Sequence, residues 1–463
     1  GSYHKLKNMS VIHSLKERKI YMQTKIDFIG GNTKRCLMAM ALPMIVAMFL
    51  NMAYNLVDSL WIGNLLGETA YAALTNSTPI ILILTSVAMG ATNGISILLS
   101  QAIGSNNQKR AESLIATSFI AAIIFSLIMT LALEIFLPYI LTALNTPSET
   151  YAMAYSYLSI YILGYLAVYL FLYFTAVLRS FGNSMFQAAA MLVSTILNAI
   201  LDPVFIHFIG FHGAAIATLL SQGICLIFMI IYMQKKKLFS LHITWFNKAD
   251  ILPIIGKAIP SVIQQSIPAV STTFLTALVS TYSITAIAAY GITGKLETIL
   301  FYPAMALNMV LTTIVGQCIG GQRADRAKDY LKCALKYGCL LLLILSCVIV
   351  VFSRQLSGFF INSTGAAAIV RTYFFTVSIG YVLNTVTNCF LGVLNGLGKP
   401  DKSMFLMIFY YIVVRMPLAY LLSSLGFGLN GIWAAVLVSH ICAAAASMLV
   451  SLLSCNSILT GKK

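Results

Sequence analysis

The sequence contains few charged residues and very few acids. Only 9% of its 463 residues are charged and only 13 are acidic, whereas a soluble domain has roughly 25% charged residues. The nine cysteines are scattered, and none lies in a CxxC or a Cys/His ligand spacing. These shortages argue against a soluble domain, a disulfide framework and a cysteine metal site. No Walker A, GxSxG or HExxH motif is present and the six histidines do not cluster, which disfavours an ATP-driven pump or an enzyme.

Long apolar runs take up most of the chain instead. Hydrophobic residues make up 59% of the sequence, and the mean hydropathy is +0.89. Runs of about 20 apolar residues are long enough to cross a bilayer, and they must be helical because lipid offers no partner to backbone polar groups. The pattern predicts an all-α polytopic membrane protein with twelve spans, at about 36–62, 72–101, 112–141, 151–178, 184–207, 213–234, 252–280, 285–315, 328–354, 368–394, 401–425 and 429–455.

Lys and Arg are concentrated in the loops on one side of the predicted bundle. The basic side includes Lys109, Arg179, Lys235, Arg323 and Lys399, whereas the loops after spans 1, 3, 5, 7 and 11 have no Lys or Arg. The loop after span 9 is bordered by two arginines and is the exception. Basic loops face the cytoplasm, so both termini are expected inside. The net charge of +16 is therefore a topology signal, and we expect no nucleic-acid partner.

The two halves of the chain resemble each other. The Gln-x-Ile-Gly turns that end at Gly104 and Gly320 are 216 residues apart (104 to 320), and so are the turns at Gly182 and Gly398 (182 to 398). Six spans per repeat give both halves the same orientation, so we expect two bundles related by a pseudo-two-fold axis along the membrane normal, with a central cleft. The predicted regions are a cytoplasmic tail at 1–32 that begins with a cloning scar, bundles at 33–234 and 251–456, a linker at 235–250 and a tail at 457–463.

Two acids lie deep inside spans of the first half. Asp58 shares a helix face with Asn51 and Tyr54, and Asp202 shares one with Asn198, because residues three or four apart lie on the same side of a helix. Pro203 follows Asp202 and frees a backbone carbonyl. The corresponding positions of the second half are apolar, so the predicted fold is symmetric but its acids are not.

A charge inside the bilayer is costly, and such residues usually face the bundle interior and have a role in transport. Burial favours a neutral carboxyl group, so Asp58 and Asp202 could load a proton on one side and release it on the other, as a coupled pair. The alternative is that each acid accepts hydrogen bonds from its Asn or Tyr neighbours and only locks helices together.

Other polar residues within spans leave more than one interpretation open. Glu297 has either a transport role or a structural ion-pair role with Lys295 or Arg415. Gln264 and Gln265 are further candidates for substrate binding. Five tyrosines recur every four residues in span 4, and this stripe is more typical of packing than of a cavity lined for aromatic cations; they are Tyr157, Tyr161, Tyr165, Tyr169 and Tyr173.

Several motifs together resemble the multidrug and toxic compound extrusion (MATE) family. They are Leu42-Pro43 and Val57-Asp58 in span 1, the Gln-x-Ile-Gly turns, Arg179-x-x-Gly182, and the turn Asn395-Gly-Leu-Gly-Lys-Pro400. The Asn198-x-x-x-Asp202-Pro pattern resembles the DinF-like branch of bacteria and archaea. The resemblance covers about residues 33–455.

The resemblance implies a secondary antiporter that exports cationic or amphipathic drugs in exchange for H⁺ or Na⁺, as a monomer surrounded by lipid in the bacterial cytoplasmic membrane. It implies no cofactor other than the coupling ion. Tyr54, Asp58, Asn198, Asp202 and Thr218 would form the ion and substrate network. Other branches have further acids in spans 7 and 10, which this chain lacks, and this favours coupling in the first half. The alternative is a flippase for lipid-linked saccharide or peptidoglycan precursors.

Overall fold

Long helices form nearly all of the computed structural model, which describes residues 26–360 and 362–459. Most of the predicted N-terminal tail and the last four residues lie outside this range. The first half contains α1 Thr33–Leu66, α2 Glu68–Gly104, α3 Gln108–Ala143, α4 Ser148–Leu163, α5 Tyr165–Ser180, α6 Met185–Ile209 and α7 Phe211–Lys236. The second half contains α8 Ile251–Ser280, α9 Ile284–Gly320, α10 Ala324–Val351, α11 Ser353–Phe360, α12 Thr364–Gly396, α13 Pro400–Ile408, α14 Met416–Leu422 and α15 Gly428–Leu459. Two short 3₁₀ turns, Ile243–Trp245 and Lys248–Asp250, lie between the halves.

The fourth predicted span is broken in the structure. Helices α4 and α5 are bent by 48° where they meet at Gly164. The side chain of Leu219, on α7, occupies the space that a Cβ atom at position 164 would need. Glycine therefore allows the closest approach of α7 at the bend, a feature that apolar run length does not reveal.

The last two spans follow each other with little interruption. Helical structure extends from Pro400 to Asn456, 57 residues in all, and includes π-helical stretches at Phe409–Arg415 and Ser423–Phe427. At 1.5 Å per residue this stretch is far longer than a bilayer is thick. Gly426 and Gly428 have positive φ angles of 90° and 66° and turn the chain back. With this stretch counted as two crossings and α4–α5 as one, the ten long helices give the predicted twelve spans.

The two halves meet closely at the end of the molecule that carries the basic loops, which we call the basic end. Helices α2 and α9 cross there, and the Ser96 and Thr313 hydroxyl oxygens are 3.3 Å apart. Nearby, Gln101 Nε2 donates to the Gly396 carbonyl at 3.0 Å. Its repeat counterpart, Gln317, donates through Nε2 to the Ser180 carbonyl at 2.6 Å. These reciprocal hydrogen bonds join the halves across the symmetry axis that the repeated turns predict.

Two further contacts at the basic end clamp the halves together. We call the segments 26–32 and 243–250, which precede the first helix of each half, the leading segments. Arg110 on α3 donates to Asp250 Oδ1 at 2.8 Å, and thereby holds the second leading segment against the first half. Its counterpart Arg326 on α10 donates to the Phe28 carbonyl at 2.9 Å, and Tyr330 donates to the same oxygen at 2.7 Å. Each leading segment is thus bound by the opposite half.

Candidate functional site

One face of α1 directs Tyr54 and Asp58 into the first bundle. Tyr54, Asp58 and Ile62 are buried at four-residue spacing, whereas Leu56 and Leu60 on the other side of the helix are exposed. This is the pattern of a helix with one face toward protein and one toward lipid. Asn51 lies one turn earlier and is half-buried, and its carbonyl accepts a hydrogen bond from Asn55 Nδ2 at 3.1 Å.

Helix α6 presents a similar buried stripe. Ser194, Asn198, Asp202 and Ile206 recur every four residues, and all are buried. The Asn198 and Asp202 side chains are both 0% exposed. The helix continues through Pro203 to Ile209. The stripe places an amide and a carboxyl group one turn apart in the interior of the bundle.

The two acids meet between α1 and α6. The carboxyl groups of Asp58 and Asp202 lie within hydrogen-bonding reach of each other, and Asn198 is within reach of Asp58. Asn198 Nδ2 also donates to Asp202 Oδ2 at 3.1 Å. Tyr157 OH donates to Asp58 Oδ2 at 3.5 Å, the long limit of a hydrogen bond. We call Asp58, Asp202, Asn198 and Tyr157 the carboxyl pair site. Since two ionised carboxylates repel each other, this contact favours a shared proton or a cation.

The carboxyl pair site has more acceptors than donors. Asp58 Oδ1, Asp202 Oδ1, Asn198 Oδ1 and Thr218 Oγ1 are buried and have no hydrogen-bond partner among the described residues. A buried polar atom without a partner costs roughly 1–3 kcal/mol. Oxygen atoms collected in this way suit a proton or a hard cation. The arrangement can therefore exchange a small positive charge.

Tyr54 and helix α7 form the edge of the site. Tyr54 OH is 3.2 Å from Ser221 Oγ and is not bonded to Asp58. Ser221 Oγ in turn donates to the Thr218 carbonyl at 3.0 Å. Sequence reasoning missed Ser221, although its position three residues after Thr218 on one helix face was the available signal.

The tyrosine stripe packs, as predicted. All five tyrosines are buried, and four of them belong to the apolar core of the first bundle. Tyr157 belongs to a neighbouring apolar cluster and also reaches Asp58. The packing interpretation therefore did not reveal the one member of the stripe that contacts an acid.

The acid of the second half has different surroundings. Glu297 Oε1 accepts hydrogen bonds from Tyr373 OH and from Tyr381 OH, the latter at 2.7 Å. No described cation forms an ion pair with Glu297 within 4.0 Å. Lys295 instead points across to α2, where its Nζ is 3.4 Å from Tyr71 OH. Two phenol donors thus satisfy Glu297 in place of the ion pair that the sequence left open.

A buried network continues from Glu297 into the second bundle. Arg415 Nε donates to Ser439 Oγ at 2.9 Å, and Arg415 Nη2 lies 3.3 Å from His440 Nε2. The guanidinium also lies over the Tyr411 ring at 4.5 Å. His440 Nδ1 is hydrogen-bonded to Tyr410 OH. Sequence reasoning did not single out His440 because nothing around it in sequence is polar enough to suggest a partner.

The glutamine candidates belong to a ladder of amides. Gln264 and Asn395 exchange two hydrogen bonds, at 3.2 and 3.1 Å. Asn395 also donates to Asn308, which donates to Asn388 at 3.2 Å. Gln265 is half-buried. Because Gln264 is fully paired, it stands in the structure as a helix-bridging residue of α8 and α12.

The geometry defines a class of protein: a polytopic helical transporter built from two like bundles. The comparisons agree. A family model described as MatE matches residues 43–204 and again 260–421, and the second match begins 217 residues after the first, as the repeat requires. The chain belongs to the MatE family of membrane transporters, and it is not an enzyme.

Curated relatives are similar over most of their length. The "Probable multidrug resistance protein YpnP" of Bacillus subtilis is 28% identical over 404 residues, which cover 86% of this chain and 90% of the relative. The "FAD transporter" of Shewanella oneidensis is 24% identical over 91% of this chain and 94% of its own. The "Multidrug export protein MepA" of Staphylococcus saprophyticus is 24% identical over 95% and 97%.

Solved structures support the fold. The outward-facing conformation of a multidrug resistance MATE family transporter of the MOP superfamily superposes with a TM-score of 0.88, at 21% identity over 94% of this chain and 98% of that one. A transporter of the same superfamily from Pyrococcus furiosus superposes equally well, at 22% identity. At these identities the likeness supports the twelve-span architecture and not the substrate.

Proposed function

We propose that this protein is a secondary multidrug efflux antiporter that exports cationic or amphipathic compounds in exchange for H⁺, or for Na⁺, by alternating access. The observation that carries the proposal is the contact between the buried carboxyl groups of Asp58 and Asp202, with unpaired oxygens around them. A site that holds either a proton or an external cation can link the two flows.

Alternating access requires contacts that can open. The reciprocal hydrogen bonds of Gln101 and Gln317 join the halves only at the basic end. Rocking one bundle against the other would break these hydrogen bonds and expose the cleft on the opposite side. The similar repeat packing of the two halves makes such a motion a rigid-body movement.

The test compares uphill efflux in proteoliposomes for the unmutated protein, Asp58→Asn and Asp202→Asn. Each Asn variant still inserts, because removing a charge lowers the insertion cost, but it should lose uphill transport. Glu134→Gln is the matched control: Glu134 is also an acid within a span, but it accepts from Ser159 and lies outside the site. Normal uphill efflux per inserted molecule in both Asn variants would show that the acids only lock helices together.

The identity of the coupling ion needs a separate measurement. Efflux is driven either by a pH gradient without Na⁺ or by a Na⁺ gradient at fixed pH. If protons occupy the pair, a permanently charged drug such as tetraphenylphosphonium should bind more weakly as the pH falls, because reciprocity links the two affinities. Binding that is independent of pH but sensitive to Na⁺ would assign the site to Na⁺.

The substrate panel should include an anion as well as cations, since one relative's name specifies FAD and two specify multidrug transport. Transport of FAD and not of cations would contradict the cationic substrate class. A lipid-linked precursor belongs in the same panel, because flipping it would favour the alternative function.

Location and topology are part of the proposal. The distribution of Lys and Arg supports a bacterial cytoplasmic membrane with both termini inside, and a monomer surrounded by lipid. Cysteine substitutions at Lys109 and Lys399 should be labelled only from the cytoplasm, and one at Glu149 only from outside. Labelling at Glu149 from the cytoplasm alone would reverse the orientation.

A further inference from the structure

A groove lies at the basic end of the second half, outside the carboxyl pair site. It encloses about 330 Å³ and is lined by residues of α9, α10, α12 and α15. Ile319, Leu331 and Val393 make its walls apolar, and Lys328 is its only charged lining residue. We call this cavity the basic-end groove.

Two more lysines lie beside the groove. Lys399 and Lys402 belong to the turn between α12 and α13 and its first residues, and their ammonium groups are within hydrogen-bonding reach of each other. Lys399 and Lys328 both act electrostatically on Cys455, which lines the groove from α15. Burial, and then the charge of Lys402, lower the pKa of Lys399. Three cations are thus grouped at one mouth of an apolar cavity.

No acid within the described chain neutralises this group at close range. The ion pairs within 4.0 Å in residues 26–360 and 362–459 are Arg110 with Asp250 and Arg323 with Asp325. Lys402 Nζ is instead 3.0 Å from Ser454 Oγ. Asp401 acts on Lys399 only at longer range. Like charges held together without a close counter-ion favour an anionic ligand.

The location determines which anion fits. Leu452 and Leu453, within one turn of Cys455 on α15, are exposed apolar side chains of a membrane-spanning helix. An apolar cavity with a basic mouth at the end of a span matches a lipid that has a phosphate head and hydrocarbon tails. Basic pockets between spans on this side of a membrane hold anionic headgroups.

We propose that the basic-end groove binds one anionic phospholipid, with its phosphate between Lys328, Lys399 and Lys402 and part of an acyl chain against Ile319, Leu331 and Val393. The proposal does not depend on the proposed antiport. The bound lipid would connect the end of α10 to the turn that begins α13, and so join helices that move together as one bundle.

The test measures phosphatidylglycerol binding by native mass spectrometry of the full chain released from nanodiscs, with phosphatidylcholine as the neutral reference. The unmutated protein should retain phosphatidylglycerol preferentially. A triple variant, Lys328→Gln, Lys399→Gln and Lys402→Gln, should lose affinity by roughly fivefold for each lysine removed. The matched control removes three exposed lysines from the linker on the same side, Lys235→Gln, Lys236→Gln and Lys248→Gln, and should retain the lipid.

Two further arms distinguish a lipid site from a phosphate site. Ala324→Trp fills the groove without changing charge, and it should weaken phosphatidylglycerol binding while leaving the lysines in place. Glycerol 3-phosphate, which has the anion without the chains, should not displace the lipid at equal concentration. Equal loss of lipid in the linker control, or full binding in Ala324→Trp, would overturn the proposal, and displacement by glycerol 3-phosphate would reduce it to a soluble-anion site.

Discussion

The two halves follow the same helix plan but satisfy their buried acids in opposite ways. In the first half two carboxyl groups face each other, and the oxygens around them lack donors. In the second half one carboxyl group accepts from two tyrosines and lies in a network with a buried arginine and histidine. The comparison shows that a duplicated fold can assign ion exchange to one copy and rigidity to the other.

Packing at the interface explains how the plan stays common while the chemistry differs. The groups that join the halves are repeated: Gln101 with Gln317, and Arg110 with Arg326. The groups inside each bundle are not repeated. Symmetry is therefore retained where the bundles must move against each other, and it is lost where a solute or an ion is bound.

The largest expected effect comes from making the same isosteric change in both halves. Asp202→Asn should reduce uphill efflux to the level of protein-free liposomes, because a neutral amide cannot exchange the coupling ion. Glu297→Gln should keep uphill efflux, since Glu297 already has two phenol donors. The measurement is drug efflux per inserted molecule under one fixed gradient. Loss of coupling in Glu297→Gln with a folded protein would place an ion site in both halves.

The second comparison removes one tyrosine hydroxyl from each half. Tyr381→Phe deletes a 2.7 Å hydrogen bond to Glu297, and should lower the free energy of unfolding by roughly 1–3 kcal/mol. Tyr157→Phe deletes a 3.5 Å contact to Asp58 and should cost less. Thermal unfolding of both variants in the same detergent measures the difference. A larger loss in Tyr157→Phe would mean that the first half also uses its acid mainly for stability.

Sequence reasoning predicted the fold because its determinants are local. Run length fixed the spans, and the repeated turns indicated the symmetry that Gln101 and Gln317 display. Helical spacing also predicted that Asn198 and Asp202 share a face. The break at Gly164 was not predictable, because it depends on Leu219 of another helix.

Contacts between distant segments were equally hidden from the sequence. Tyr157 is 99 residues from Asp58, and Tyr54 bonds to Ser221 at a separation of 167 residues. Glu297 was expected either to have a transport role or to form an ion pair, and its phenol donors lie 76 and 84 residues away. Such partners depend on how helices pack, which helical periodicity within one span does not specify.

A smaller effect is expected at the clamps of the basic end. Arg110→Gln leaves the buried carboxylate of Asp250 with only Ser113 as a side-chain donor. Arg326→Gln removes a donor to a backbone carbonyl that Tyr330 still serves. Both variants should loosen the leading segments, Arg110→Gln more than Arg326→Gln, because a buried charge loses more than a carbonyl. Hydrogen exchange at residues 26–32 and 243–250 measures the opening, and equal protection in both variants would contradict a clamp.

The smallest effect is expected at the repeat counterpart of Asp58. A spacing of 216 or 217 residues aligns Asp58 with Phe274 or Leu275. Leu275 is buried in the apolar core of the second bundle, so shortening it would destabilise the fold and obscure the result. Phe274 is only half-buried against the same core, and Phe274→Ala is therefore the cleaner probe. If ion exchange belongs to the first half alone, this variant should keep the full gradient dependence of efflux, with at most a changed apparent affinity for the drug. The measurement is efflux against drug concentration at two gradient strengths. A gradient dependence that disappears in folded Phe274→Ala would show that the second half takes part in coupling without an acid, and would end the division of roles between the halves.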